Sequence, residues 1–209
     1  MRILIADDHA VVRQGLMLIL GRALGPMEFG EAADSRQAIA AALKEPWNLM
    51  ILDLSMPGRN GLEVLKELRA QRPALPVLVL SMHAEEQYAV RAFRAGAAGY
   101  LTKANASAEL VKAVERILSG GRYVSATLGE KLAAELVGRG PGPLHEKLSD
   151  RELEILRLIG SGRTVKEIAA ELTLSSNTIS TYRARLLEKM KLRTSAELMQ
   201  YAISNGLVD

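Results

Sequence analysis

Five side chains in the first half of this sequence have the types and spacing for chemistry: the adjacent acids Asp7 and Asp8, the lone acid Asp53, the hydroxyl of Ser81 and the amine of Lys103. Each follows directly on a short apolar run. Ile3-Leu4-Ile5-Ala6 precedes the acid pair and Leu49-Met50-Ile51-Leu52 precedes Asp53; Val77-Leu78-Val79-Leu80 leads into Ser81, and Gly99-Tyr100-Leu101-Thr102 into Lys103. Crowded carboxylates repel one another, and a cation relieves the repulsion. An all-oxygen set favours a hard ion such as Mg²⁺, which takes a few carboxylates and completes its shell with water and phosphate oxygens. Lys103 can neutralise a phosphoryl oxygen as a point charge, and Ser81 can donate a hydrogen bond to another. This is equipment for phosphoryl transfer, where positioning and electrostatics supply most of the catalysis. Asp53, alone at the end of the middle run, is the natural nucleophile for an aspartyl phosphate.

The elements that must position these groups are legible in the apolar pattern. Short continuous apolar runs closed by turn residues, as Met56-Pro57-Gly58 closes the third, predict strands buried on both faces of a parallel sheet. A weaker strand is predicted at Glu28–Ala33. Helical spacing fills the intervals: Ala10 to Leu24, Ser35 to Lys44 behind Asp34 as N-cap, Leu62 to Arg69 after Asn60-Gly61, Glu85 to Arg94 closed by Gly96, and Ser107 to Leu118. Alternating strands and helices predict a five-stranded doubly wound parallel sheet covered on both faces. Every strand of such a sheet ends on the same edge, which is where open α/β sheets bind ligands. His9, next to the acids, is assigned to opening the first helix rather than to a metal; His83 and His145 form no ligand spacing with it. Arg91, Arg94 and Lys112 are read as solvated helix positions.

Residues 1–121 resemble the receiver domain of two-component response regulators, through Asp7-Asp8, Asp53 with Met56-Pro57-Gly58 and Gly61, Ser81, Tyr100 and Lys103. The resemblance implies a flavodoxin-like α/β fold in which Asp53 accepts phosphate from a cognate sensor histidine kinase. It further implies Mg²⁺ held by Asp7, Asp8, Asp53 and the backbone carbonyl of Ser55. Ser81 and Tyr100 would form a switch pair, the hydroxyl moving toward the phosphoryl group while the ring turns inward. One departure is Lys103-Ala104, where many receivers carry Lys-Pro; a cis bond before a non-proline residue is costly.

A chain of 209 residues suits one large or two small domains. The absence of cysteine excludes disulfides and thiolate metal sites and fits a reducing compartment. The N-terminal apolar run is too short for a signal peptide and no run approaches a membrane span, so the expected location is cytoplasmic with no membrane partner. The stretch 122–146 is read as a linker. It opens after Ser119-Gly120-Gly121, holds a short predicted helix from Leu128 to Val137, and breaks at Gly138-Arg139-Gly140-Pro141-Gly142-Pro143.

Residues 147–209 predict an all-α domain. Ser149-Asp150-Arg151-Glu152, Thr164-Val165-Lys166-Glu167 and Thr194-Ser195-Ala196-Glu197 are three capping boxes, and a further helix starts at Ser175 or Ser176. Helices at about 150–160, 165–172, 176–190 and 195–205 follow, the middle pair having helix-turn-helix proportions. On the 176–190 helix, Ile179, Tyr182, Leu186 and Met190 share one side and pack inward. Asn177, Thr181, Ala184 and Glu188 lie opposite, flanked by Ser180 and Arg185, with Arg183 near the buried edge. Within 176–193, Arg183, Arg185, Lys189, Lys191 and Arg193 face only Glu188, which suits a polyanion partner. A small polar face flanked by basic residues suits the major groove.

This half resembles the LuxR-type DNA-binding domain, through Leu148-Ser149-Asp150-Arg151-Glu152, Lys166-Glu167-Ile168-Ala169, Leu172-Thr173-Leu174-Ser175 and Lys189-Met190. Together the halves resemble NarL/FixJ-family response regulators. The resemblance implies that Lys166, Thr178, Arg183, Arg185 and Lys189 touch phosphates while Ser180, Thr181 and Ala184 face bases. It also implies a homodimer on two-fold related half-sites of double-stranded DNA, with RNA polymerase as a further partner. The expected protein is a transcription factor switched by phosphorylation and not an enzyme. A phosphatase working through an aspartyl intermediate is the competing reading, but such sites carry Asp-x-Asp after the first strand. A regulator active without phosphate is a milder alternative.

Overall fold

A computed structural model describes residues 1–82, 85–125, 128–130 and 143–208. Five parallel strands, β1 (Arg2–Ala6), β2 (Glu28–Ala32), β3 (Leu49–Asp53), β4 (Val77–Ser81) and β5 (Gly99–Thr102), form one sheet in the order β2-β1-β3-β4-β5. Helices α1 (Ala10–Leu24), α2 (Ser35–Lys44), α3 (Gly61–Gln71), α4 (Glu85–Ala95) and α5 (Ala106–Leu118) connect and follow them. Every residue of β3 and β4 is buried, which accounts for their uninterrupted apolar sequences. Register does the positioning. Ala6 pairs with Leu52, Asp53 with Leu80, and Ser81 with Thr102, so the groups that follow the strands emerge side by side.

The pleat sorts those groups by face. Ile3, Ile5, Leu49, Ile51, Leu78, Leu80 and Leu101 belong to one buried cluster with Leu16 and Leu20 of α1 and Leu110, Val114 and Ile117 of α5. Continuing the two-residue alternation carries Asp7, Asp53 and Lys103 onto that same side. Ser81 and Tyr100 alternate to the other.

Helix ends shift by one or two residues from the pattern, with local causes. α3 begins at Gly61 because Asn60 caps it, its Oδ1 accepting from the Leu62 amide at 2.9 Å. Glycine is required there, since a Cβ would stand 2.5 Å from the Leu54 α-carbon.

Two compact units divide the chain, Met1–Gly138 and Arg139–Asp209. The stretch read as a linker from residue 122 therefore starts as part of the first unit. Tyr123 is buried in the α1/α5-side cluster and bridges to Gly99, its amide bonding the Ala98 carbonyl at 2.9 Å. The helix predicted from Leu128 to Val137 is helical over 128–130 and otherwise lies outside the described residues, as do the break at 138–142 and His83.

The second unit opens with a 3₁₀ turn, Leu144–Lys147, followed by α6 (Asp150–Gly160), α7 (Val165–Glu171), α8 (Ser176–Met190) and α9 (Ser195–Ser204). All three capping boxes form, at Ser149, Thr164 and Thr194. Leu153, Leu156, Ile168, Ile179, Leu186, Met190, Leu198 and Ala202 are buried and form the interior of this unit. The turn between α7 and α8 places Thr173 at φ 54°, a left-handed conformation that a β-branched residue adopts at a cost. Among the described residues no helix is long and apolar enough to cross a membrane.

Candidate functional site

At the carboxyl edge of the sheet, Lys103 Nζ lies 2.7 Å from Asp7 Oδ2 and 2.8 Å from Asp53 Oδ2. Both acids are 1 % exposed, so the ammonium is their principal counter-charge. Asp53 Oδ1 accepts from the Ser55 amide at 3.0 Å. Burial is the largest influence on Asp53 and pushes its carboxyl above the ordinary value, the charge of Asp7 acting in the same direction; Lys103 and the Ser55 amide oppose them. Burial works against the Lys103 ammonium too, but its bonds to Asp53 and Asp7 outweigh this and hold its pKa above that of a free lysine.

The acid pair is anchored from α1. Asp7 Oδ1 accepts from the His9 amide at 2.8 Å, and Arg13 Nη1 donates to the Asp7 carbonyl at 2.7 Å while its Nε bonds Glu31. Arg13 carried no signal in the sequence, because its role depends on α1 folding back across the start of its own loop. His9 is the N-cap position of α1, as its place suggests, but its side chain also enters the cluster, with Nδ1 2.8 Å from Asp8 Oδ1. One ligand atom each from Asp7, Asp8, His9 and Asp53 lies within 4.8 Å of the others. Three carboxylates at that separation are a donor set that fits a hard divalent cation.

Ser81, completely buried at the end of β4, accepts from the Lys103 amide through its carbonyl at 2.8 Å. Tyr100 is also completely buried, so its ring already occupies the inward position. Among the described residues no peptide bond is cis, that of Lys103-Ala104 included.

In the second unit, α8 presents Asn177, Ser180, Thr181, Ala184, Arg185 and Glu188 to solvent, while Ile179, Leu186 and Met190 are buried and Tyr182 is half-buried. Its start is held by Ser175, whose Oγ accepts from the Thr178 amide at 3.1 Å and lies 2.8 Å from Thr178 Oγ1. Thr181 Oγ1 donates to the Asn177 carbonyl at 3.0 Å. Lys166 stands exposed on α7.

The basic residues of α8 differ in their commitments. Arg185 lies over the Tyr182 ring with its guanidinium carbon 5.9 Å from the centroid, and Arg183 donates to Ser195 Oγ at 3.3 Å. Lys189 bonds Glu152 Oε2 at 2.8 Å. Burial would raise the pKa of Glu152, but Lys189 and the Ser149 amide and hydroxyl outweigh it and hold the carboxyl below its usual value. Lys189 thus has a structural partner that a helical wheel drawn on α8 alone does not reveal. Behind the turn, Arg151 bonds Glu154 and donates to the Leu172 carbonyl at 3.3 Å.

An acid pocket at the edge of a doubly wound parallel sheet, followed in one chain by a helix-turn-helix unit, defines a two-domain response regulator. The comparisons agree. Residues 3–115 match the response regulator receiver domain, and residues 146–202 match the luxR family of bacterial regulatory proteins. The chain is 36 % identical to the transcriptional activator protein ExaE of Pseudomonas putida, across 100 % of this chain and 98 % of that protein. It is 33 % identical to the response regulator UvrY of Escherichia coli, across 98 % and 94 %. Among solved structures, RcsB of Salmonella enterica serovar Typhimurium bound to promoter rprA with the phosphomimetic BeF₃⁻ is 30 % identical, with a TM-score of 0.66 over 98 % of this chain and 99 % of that one. The chain belongs to the NarL/FixJ family of response regulators, which are DNA-binding transcription regulators and not enzymes.

Proposed function

We propose that phosphorylation of Asp53 by a sensor histidine kinase controls how this chain binds promoter DNA and regulates transcription. The observation that carries this reading is the Lys103 ammonium held between the buried carboxylates of Asp7 and Asp53. A carboxylate with one oxygen on a cation and the other on the Ser55 amide has a fixed orientation toward an incoming phosphorus. One Asp53 oxygen forms the new bond to phosphorus as the bond to the donor's imidazole nitrogen breaks. Lys103 then neutralises a phosphoryl oxygen, and the Ser81 hydroxyl donates to another. Asp7, Asp8, Asp53 and the Ser55 carbonyl are the groups that would hold Mg²⁺, which when bound supplies positive charge to the phosphoryl oxygens. The Ser81 hydroxyl is proposed to approach the phosphoryl group while the buried ring of Tyr100 stays inward, the two acting as a switch pair.

At the other end of the chain, Lys166, Thr178, Arg183, Arg185 and Lys189 are proposed to contact phosphates, and Asn177, Ser180, Thr181 and Ala184 to face base edges. Dimeric binding to two-fold half-sites follows from the few base pairs one helix covers. The RcsB relative is known in complex with promoter DNA, which supports the same class of ligand here. RNA polymerase is proposed as the partner through which DNA binding acts.

Treatment with a small phosphodonor and Mg²⁺ tests the first step. One phosphoryl group should appear by intact mass on the wild-type chain and none on Asp53→Asn; labelling of that variant at another residue would overturn the assignment. DNA affinity measured with and without the donor tests the coupling, and equal affinities would favour the regulator that works without phosphate.

A further inference from the structure

The two acid-bearing loops of the pocket are joined by a third segment that contributes no acid to it, and the inference drawn from this rests on the phosphorylation of Asp53 proposed above. The Asp7 amide donates to the Ala32 carbonyl, at the end of β2, at 3.1 Å. Three residues on, Ser35 opens α2 and reaches the loop that follows Asp53. Its amide donates to the Pro57 carbonyl at 3.3 Å, and its Oγ accepts from the Arg59 amide at 2.8 Å. Residues 32–35 thus tie the start of the Asp7-Asp8 loop to the loop that carries Ser55.

The helix itself does not use the Ser35 hydroxyl. Asp34 caps α2 by accepting from the Gln37 amide at 2.8 Å, and Gln37 Oε1 accepts from the Ala33 amide at 3.1 Å. Ser35 is 3 % exposed, and a hydroxyl is buried at a cost unless it is hydrogen-bonded. Its bond runs instead to Arg59, 24 residues along the chain. Gly58 is fitted to this contact: its φ is 101°, and a Cβ there would stand 2.5 Å from Ser35 Oγ. The loop 54–61 is fixed at its ends by Asp53 Oδ1 on the Ser55 amide and by the Gly61 amide on the Leu54 carbonyl. Ser35 holds its middle.

We propose that Ser35 is a positioning residue for the phosphorylation of Asp53. It pins residues 57–59 to the segment that holds Asp7, and so keeps the Ser55 carbonyl placed for the Mg²⁺ that Asp7 and Asp8 would share. Groups that orient the ligands of an ion without touching it change its affinity by about 10–100-fold when they are removed. The test is Mg²⁺ binding to the full, unphosphorylated chain by calorimetry, with thermal unfolding and labelling by a small phosphodonor in parallel. Ser35→Ala should weaken Mg²⁺ binding about tenfold. It should raise the Mg²⁺ concentration for half-maximal labelling by a similar factor, with Asp53 still the labelled residue. Gly58→Ala should act in the same direction by displacing the hydroxyl, and its effect should be smaller on Ser35→Ala, where that space is free, than on the wild type. Unchanged Mg²⁺ affinity in Ser35→Ala, even with a lowered melting temperature, or strictly additive effects of the two substitutions, would overturn the proposal and leave the role of Asp53 standing. A wild-type chain that takes no phosphoryl group at Asp53 would overturn the function proposed above and this inference with it.

Discussion

Lys103 serves as the counter-ion of the pocket before any phosphate arrives. Its ammonium is 12 % exposed and faces two carboxylates that are 1 % exposed, so removing it leaves buried like charges together. Losing one partner of a buried pair costs on the order of 3 kcal/mol, and Lys103→Met should lose about that much stability in the metal-free protein. Mg²⁺ should raise its melting temperature more than that of the wild type, because the ion replaces the lost charge; equal shifts would contradict this. The raised pKa of Lys103 sets the sign in alkali. The stabilisation is full below its ordinary value of 10.5 and is lost as pH rises through the higher folded value.

Lys189 calls for a different reading at the same scale. Glu152 is 3 % exposed and its pKa is lowered, so its stabilisation is present above the ordinary value of 4.5 and lost as pH falls through the folded value. Glu152→Gln should flatten the acid dependence of unfolding of the second unit below that pH. A paired comparison separates the two roles of the basic residues: Arg185→Ala should reduce the slope of log affinity against log salt by about one. Lys189→Met should reduce that slope by a similar amount and also cost about 1 kcal/mol of stability through its lost bond to Glu152; an unchanged slope would show that Lys189 serves Glu152 alone.

Among the elements, the ends and turns carry most of the local information. Each capping box pairs a hydroxyl and a carboxylate with backbone amides that a helix start leaves open, and Thr194→Ala should cost about 1 kcal/mol by thermal unfolding. Thr173 is the opposite case. Its left-handed φ of 54° is unfavourable for a β-branched residue, and glycine carries no such penalty. Thr173→Gly should therefore stabilise the second unit by about 0.5–1 kcal/mol, and a loss would mean that the side chain contributes more than its conformation costs. Gly61 shows why the loop after Asp53 is intolerant. A Cβ there meets the Leu54 backbone, so Gly61→Ala should disturb the loop that carries Ser55.

For the whole molecule, two units with separate interiors provide separate reporters. Trp47 is the only tryptophan and lies in the first unit, its indole donating to the Ala41 carbonyl at 2.9 Å. Its fluorescence therefore follows unfolding of the receiver domain. Mg²⁺ at one hundred times its dissociation constant should stabilise that transition by about 2.7 kcal/mol, and a midpoint unmoved by Mg²⁺ would argue against metal binding in the acid pocket. On the other unit, the entering chain is tied to α9 through His145, whose amide and Nδ1 lie 3.4 and 3.1 Å from Tyr201 Oη.

Much of this architecture is determined by sequence alone because its causes are local. Strands buried on both faces read as apolar runs, helix starts as capping boxes, and the rule that parallel strands end on one edge gathers Asp7, Asp53, Ser81 and Lys103 at one place. Tertiary structure alone decided which oxygen Lys103 bridges, that Tyr100 lies inward, that Arg13 and His9 join the acid pair, that Lys189 is tied to Glu152, and that Tyr123 extends the first unit past residue 121. These facts depend on packing between segments far apart in the chain, where distances of a few tenths of an ångström choose one partner over another. Residue spacing holds no record of them.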